Sequence, residues 1–404
     1  MRDLAWFLPS WPPAFGNLAL FGAVLLAGLA GGELARRFAA LPRITGCVLV
    51  GVLCGPQGLG LLAEPMGAGA RAMIDLALGV AVFELGHRLH FGWLARNRWL
   101  ALAAAGESLG AFAAVYAALS YVGYAPLLAA GAAAVGAATS PAVVLMVTGE
   151  LRASGQITER MLLFTAVNCV AAYVALALVL PMLHLQQQAT WRSAILHPMY
   201  LLGGAALLAL AASHALIAAA RWLGKDEDRQ FILLAGGVVL AVGLARAFGL
   251  PVVAVLLALG IFMRNLDDAH AVLPVRFGQA GHLLLVALFV LTGASLDFSG
   301  LRAAGAVAGL FIVARFLGKA AAILAFARLS GLRAGGAGLL SVALLPMSGL
   351  AVVMTHDTAV LFPGFGAELA AVVLSAAAAL ELIGPIATQF ALRHAGEAHP
   401  ERGA

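Results

Sequence analysis

Charges are so widely spaced in this chain that apolar runs of membrane-spanning length follow one another from residue 16 to residue 392. Only 11% of the residues are charged and 63% are hydrophobic, whereas a soluble domain carries roughly 25% charged residues. A helix crosses the ~30 Å hydrocarbon core of a bilayer in roughly 20 apolar residues. Cutting the sequence at its charged and Gly/Pro-rich breaks gives about thirteen spans: 16–35, 44–62, 72–90, 99–121, 125–148, 158–183, 198–220, 230–248, 250–264, 281–296, 303–327, 334–360 and 366–392. An all-α polytopic membrane protein is expected, because helices satisfy their own backbone polar groups in lipid. Met1 to Pro13 lacks the basic, apolar and small-residue order of a cleaved signal peptide.

A net charge of +5 in a soluble protein would point to nucleic acid. In a membrane protein it sets topology instead, and no nucleic-acid partner is implied. Most of the 24 Lys and Arg residues fall into alternate loops on one side, from Arg36, Arg37 and Arg43 through Arg88, Arg96, Arg98, Arg152 and Arg160 to Arg328, Arg333 and Arg393. The other side holds Arg2, Arg71, Arg192, Arg246 and Arg302. The richer side is cytoplasmic by the positive-inside rule. The expectation is a multi-pass inner (plasma) membrane protein with its N-terminus outside, its C-terminus in the cytoplasm and an odd number of spans.

Two spans carry turn chemistry at mid-depth: Ala138-Thr139-Ser140-Pro141 in the fifth, and Pro346-Met347-Ser348-Gly349 in the twelfth. Each is expected to break its helix. Freed backbone groups survive at that depth only inside protein or beside a water-filled cavity. The odd offset between the two breaks puts them in oppositely oriented halves, the inverted-repeat plan in which two broken helices cross near the midplane. The halves are expected at 1–220 and 230–393, joined by a charged cytoplasmic linker at 221–229 and followed by a short tail at 394–404. That tail leaves no room for a nucleotide-binding domain. The alternative is that the two prolines only shape packing.

Ionisable residues deep in lipid mark functional sites by default. Glu33, Asp75 and Glu84 lie near span ends, where they can snorkel or pair locally. Glu107 in the fourth span, Arg315 and Lys319 in the eleventh, and Glu381 in the thirteenth lie deeper. Arg315 and Lys319 are four apart on one helix face, so one of them needs a carboxylate or several helix-end carbonyls. Glu107 and Glu381 are the acids on offer; a purely structural ion pair is the competing reading. Thr165, Asn168 and Tyr173 share a face of the sixth span, where Asn168 either serves a site or joins helices. Cys47, Cys54 and Cys169 show no disulfide or metal spacing and are read as packed thiols. The histidines lie mostly at span ends without the HExxH spacing of a metalloenzyme. No enzyme and no cofactor is expected.

Several motifs in order carry a family resemblance: Leu41-Pro42-Arg43-Ile44-Thr45-Gly46, Gly55-Pro56-Gln57-Gly58-Leu59-Gly60, Phe83-Glu84-Leu85-Gly86-His87-Arg88 and Ala138-Thr139-Ser140-Pro141. Thr292-Gly293-Ala294-Ser295-Leu296-Asp297, Arg315 with Gly318-Lys319, Leu345-Pro346-Met347-Ser348-Gly349 and Glu381-Leu382-Ile383-Gly384-Pro385 continue the series. Over nearly its whole length the chain resembles the monovalent cation:proton antiporter superfamily, in the branch of sodium/proton antiporters and potassium-efflux systems. The resemblance implies exchange of Na⁺, K⁺ or Li⁺ for H⁺ by a core domain moving against a dimerisation domain, hence a homodimer with no tight metal site. It implies ion binding at Asn168 and Cys169 beside the crossing, where Thr139 and Ser140 lie, with Lys319 or Arg315 as the basic partner and Pro141, Pro346, Met347, Ser348 and Gly349 at the breaks; Glu107 and Glu381 join the ion-binding and coupling candidates through their depth and the need of Lys319 for a partner.

One departure is chemical. The family carries an aspartate at the second position of the pair that matches Asn168-Cys169, and here that position is a thiol. Competition of H⁺ with a metal cation for one carboxylate couples the two fluxes. A thiol, with a reference pKa of about 8.5, stays protonated at neutral pH and prefers softer metals. Three readings stay open: Glu107 or Glu381 takes over the role, the protein passes ions or another solute without proton coupling as a channel-like transporter, or it keeps only a scaffold or sensing role.

Overall fold

The computed structural model describes residues 17–62, 68–186, 191–268, 270–273, 278–296, 298–347 and 349–399. Every regular element among them is helical. In chain order these are α1 (Asn17–Ala39), α2 (Arg43–Cys54), α3 (Ala68–Gly86), α4 (Phe91–Arg96), α5 (Arg98–Tyr121), α6 (Pro126–Ala137), α7 (Pro141–Glu150), α8 (Gln156–Gln186) and α9 (Trp191–Pro198). After a π-helical turn at Met199–Gly203 come α10 (Gly204–Leu223), α11 (Glu227–Ala247), α12 (Val252–Leu266), α13 (Gly278–Ala294), α14 (Phe298–Ala327), α15 (Ala334–Ala343), α16 (Gly349–Leu361) and α17 (Pro363–His394). Among the described residues, 8 helical stretches are long and apolar enough to cross a membrane, with α6–α7 and α9–α10 each forming one of them. The shorter apolar helices α2, α12, α13, α15 and α16 add to these.

Both expected breaks are present, and local chemistry explains them. The chain leaves the helical region at Ala138 (φ −63°, ψ 147°) and is extended at Ser140 (φ −69°, ψ 111°), as the residue before a proline tends to be. Ser140 then caps α7 by accepting from Val143 N at 3.4 Å, with Pro141 at the first helical position, where a missing N–H costs nothing. In the twelfth span α15 stops at Ala343 ahead of Pro346, and α16 starts at Gly349. Ser348 lies outside the described residues. The two breaks touch: Ser140 N donates to Pro346 O at 3.0 Å, and Thr139 Oγ1 donates to Leu344 O at 3.4 Å.

Three boundaries differ from the sequence expectation. The second span ends as helix at Cys54, because Gly55-Pro56 turns the chain back and Leu62 N bonds to Cys54 O at 2.8 Å. The seventh is interrupted at Pro198, whose missing N–H is absorbed by the π turn. Helix α4, unexpected from hydropathy, is held by His90 Nδ1 accepting from Trp93 N at 3.0 Å and by Phe91 N donating to Asn265 Oδ1 at 2.8 Å.

Glycines set the helix pairing around the centre. α5 lies against α14, where a Cβ on Gly318 would stand 2.2 Å from Gly110 O and one on Gly110 would stand 2.5 Å from Gly318 O. Backbone contact of this kind is how small residues replace a hydrophobic driving force in lipid. α2 meets α13 through Gly51 and Gly293, and α3 meets α12 through Gly86 and Gly260, again with carbonyls at the added Cβ. The pairings α2–α13 and α3–α12 interchange when α2 is matched with α12 and α3 with α13.

Gly318→Val is therefore expected to overpack α5 against α14 and to cost about 1–3 kcal/mol or more. Gly309→Ala, on the same helix with nothing within 4 Å of the added Cβ, is expected to be silent. Thermal melting of the purified protein in detergent checks both.

Candidate ion site at the crossing of the broken helices

The close approach of α5 and α14 places Glu107 opposite Lys319. The two side chains form an ion pair with 0% and 1% of their surfaces exposed. Lys319 has three donors and uses all of them, on Glu107 Oε1, on Ala137 O at 3.2 Å and on Thr139 Oγ1 at 3.1 Å. Thr139 is equally committed. Its proton goes to Leu344 O, so its lone pairs take Lys319 Nζ and, at 3.0 Å, Asn168 Nδ2. Ser108, next to Glu107 on α5, donates to Asn168 Oδ1 at 2.6 Å and completes the chain from α5 through α8 to the first break.

Arg315, one turn before Lys319, holds the ends of the half-helices rather than a carboxylate. Its Nε donates to Gly136 O at 2.7 Å, and its terminal nitrogens donate to Ala138 O at 2.6 Å, Leu345 O at 2.8 Å and Pro346 O at 3.4 Å. These carbonyls end α6 and α15, where helix dipoles place partial negative charge. One guanidinium thus fills two C-terminal caps that lipid could not satisfy. The two like charges on α14 are reconciled because Arg315 takes the carbonyl ends and Lys319 takes the acid.

The structure brings Asn168, Cys169, Thr139, Ser140, Glu107, Arg315 and Lys319 into one buried group beside Pro141 and Pro346. Cys169 is fully buried, with Sγ 3.7 Å from Thr139 O. Met347 is buried at the second break and Gly349 opens α16. Glu381 belongs to another contact: it lies on α17 and accepts from Thr292 Oγ1 of α13 at 3.1 Å. Nearer the membrane faces, Glu33 pairs with Arg36, Arg37 and Arg43, and Asp75 with Arg71 and Arg246. Sequence reasoning passed over Ser108, whose only signal was its place beside Glu107. It also passed over the carbonyls of Gly136, Ala137 and Ala138, which residue types do not announce. Among the described residues no cluster of His, Cys, Asp and Glu is built to hold a metal ion.

One atom in this group is unsatisfied. Glu107 Oε2 is buried and has no hydrogen-bond partner among the described residues. A bare carboxylate oxygen in a low-dielectric interior is costly, so this atom calls for a proton, an ion or an ordered water.

Two broken helices crossing around buried charges define a membrane carrier of the secondary-transporter class. The family model described as sodium/hydrogen exchanger, transmembrane, matches residues 22–393, and the chain belongs to that family. No curated protein matches the chain. Among solved structures it is similar to the sodium proton antiporter MjNhaP1 from Methanocaldococcus jannaschii at pH 8, with 16% identity, a TM-score of 0.66 and coverage of 93% of this chain and 95% of that one. An electron-microscopy map of the same antiporter gives 16% identity and a TM-score of 0.69 over 96% and 100% of the two chains. At that identity the likeness concerns the fold.

Breaking the buried pair from either side is expected to cost roughly 3–5 kcal/mol, because it strands the other charge. Glu107→Leu and Lys319→Leu alone should each lower the melting temperature sharply. The double variant should recover much of the loss, and additive losses would show that the two groups are not coupled.

Proposed function

We propose that this membrane protein exchanges a monovalent cation, Na⁺ or K⁺, for protons across the inner membrane, with Glu107 in the part played by the family's missing aspartate. The observation that carries the reading is the orphaned Oε2 of Glu107. Its partner oxygen is held by Lys319, so the carboxylate has one fixed and one open side. A proton and a bare cation are alternative occupants of the open side, and only one fits at a time. Such mutual exclusion is what converts binding into coupled exchange.

The surroundings suit a small hard cation, which prefers oxygen ligands. Ser108 Oγ, Asn168 Oδ1 and Thr139 O lie in the same hydrogen-bonded group as Glu107. Lys319 supplies a fixed positive charge that keeps the empty site from being purely acidic, and Arg315 keeps the half-helix ends apart from the ion. Cys169 adds bulk beside Thr139 without adding charge. In this reading the halves 1–220 and 230–393 are the inverted repeats, about thirteen spans put the N-terminus outside and the C-terminus in the cytoplasm, and the working unit is a homodimer. MjNhaP1, a sodium proton antiporter by its description, supports the choice of substrate ions.

The test is dissipation of a pH gradient in proteoliposomes on addition of Na⁺, K⁺ or Li⁺. The native protein is expected to dissipate the gradient with at least one of them, and Glu107→Gln is expected to lose that exchange by about two orders of magnitude, as removal of an essential charged group does. Normal exchange by Glu107→Gln would refute the assignment. Exchange by Cys169→Asp but not by the native chain would mean that coupling was lost with the aspartate.

A further inference from the structure

Away from the crossing, two cavities adjoin on the arginine-rich face. The first, of about 390 Å³, lies between the start of α5, the start of α8 and the turn after α14, and Arg96, Arg98 and Arg160 line it. The second, of about 430 Å³, lies between α4, α8 and the end of α12, and is lined by Arg88, Arg96 and Arg264. Trp93, Arg96 and Glu159 belong to both. Each volume falls within the roughly 300–1,000 Å³ of small-molecule sites.

The charge balance there is one-sided. Five guanidiniums face a single carboxylate, Glu159, and a histidine, His90, whose Nδ1 already accepts from Trp93 N at 3.0 Å. Arg160 is tied to Ser330, and Arg88 stands 3.8 Å from Glu84. Among the described residues no ion pair joins Arg96, Arg98 or Arg264 to a carboxylate, although Arg98 lies over the Trp99 ring with its guanidinium carbon 5.4 Å from the ring centroid. Guanidiniums that outnumber the acids of a cavity five to one present the forked donor pattern that matches phosphate oxygens. Trp93 and Trp99 mark the headgroup depth of a bilayer. Topology alone asks for basic residues on this face; it does not ask for three exposed arginines without a carboxylate partner along two adjoining hollows.

We infer that these joined cavities bind a phosphate group, with Arg96 and Arg264 as its principal ligands and Arg88 and Arg98 beside them. The walls come from α4, α5 and α12 on one side and α8 on the other, and α8 carries Asn168 and Cys169. A phosphate bound there bridges the helix of the candidate ion site to its surroundings, whether it comes from an anionic phospholipid headgroup or from solution.

The test is independent of transport and uses the full chain purified in detergent. Its thermal melting is followed on addition of phosphatidylglycerol, of phosphatidylcholine, or of inorganic phosphate. Stabilisation by phosphatidylglycerol beyond phosphatidylcholine is expected for a headgroup site, and stabilisation by inorganic phosphate for a soluble one. In either case Arg96→Gln combined with Arg264→Gln should weaken the apparent affinity by about tenfold or more, at ~1 kcal/mol per basic residue. Arg36→Gln combined with Arg37→Gln, an equal change of charge at the end of α1, whose residues line neither cavity, should leave it unchanged. An equal loss in both double variants, or no preference for any phosphate probe, would overturn the inference.

Discussion

Everything near the centre of this protein depends on the cost of keeping two cations on one turn of α14 inside a membrane. Lipid provides neither counter-ion nor hydrogen-bond partner, so each charge has to be met by the protein itself. Arg315 is met by the carbonyl ends of α6 and α15, and Lys319 by Glu107, Thr139 and Ala137. The broken helices need those cations as much as the cations need them, because lipid offers no donor to the carbonyls of Gly136, Ala138 and Leu345 that Arg315 takes up. The break and the charge pair are therefore one structural unit.

That unit is positioned by backbone contacts at glycine. Glu107 reaches Lys319 because Gly110 and Gly318 let α5 and α14 touch, and the related contacts of α2 with α13 and α3 with α12 hold the outer frame in the same way. Within it the hydrogen bonds form a closed sequence from Ser108 to Asn168 to Thr139 to Lys319 to Glu107. The one atom left over is Glu107 Oε2. That one carboxylate oxygen without a partner is where the proposed competition of a cation with a proton would take place.

Much of this was legible in the sequence because its causes are local. Apolar runs mark helices, Thr139-Ser140-Pro141 and Pro346 mark breaks, and deep ionisable residues are too costly in lipid to be incidental. The requirement that Arg315 and Lys319 find an acid or helix-end carbonyls followed from their spacing alone. What was not legible is what depends on three-dimensional approach. Nothing in residue types separates Glu107 from Glu381 as the partner of Lys319; the α5–α14 contact decides it and leaves Glu381 with Thr292. Ser108 looks like any small residue in a transmembrane helix, and backbone carbonyls leave no mark in a sequence. Helix α4 was missed because its support, the Asn265 side chain, comes from far along the chain.

The account stands on the open side of Glu107 as the place where a cation binds. The most direct measurement is the infrared difference spectrum of the purified protein between Na⁺ or K⁺ and choline, read in the carboxylate bands. The account predicts a cation-induced carboxylate signal in the native protein that disappears in Glu107→Gln. The same signal persisting in Glu107→Gln, or no signal until Cys169→Asp supplies a second acid, would contradict it.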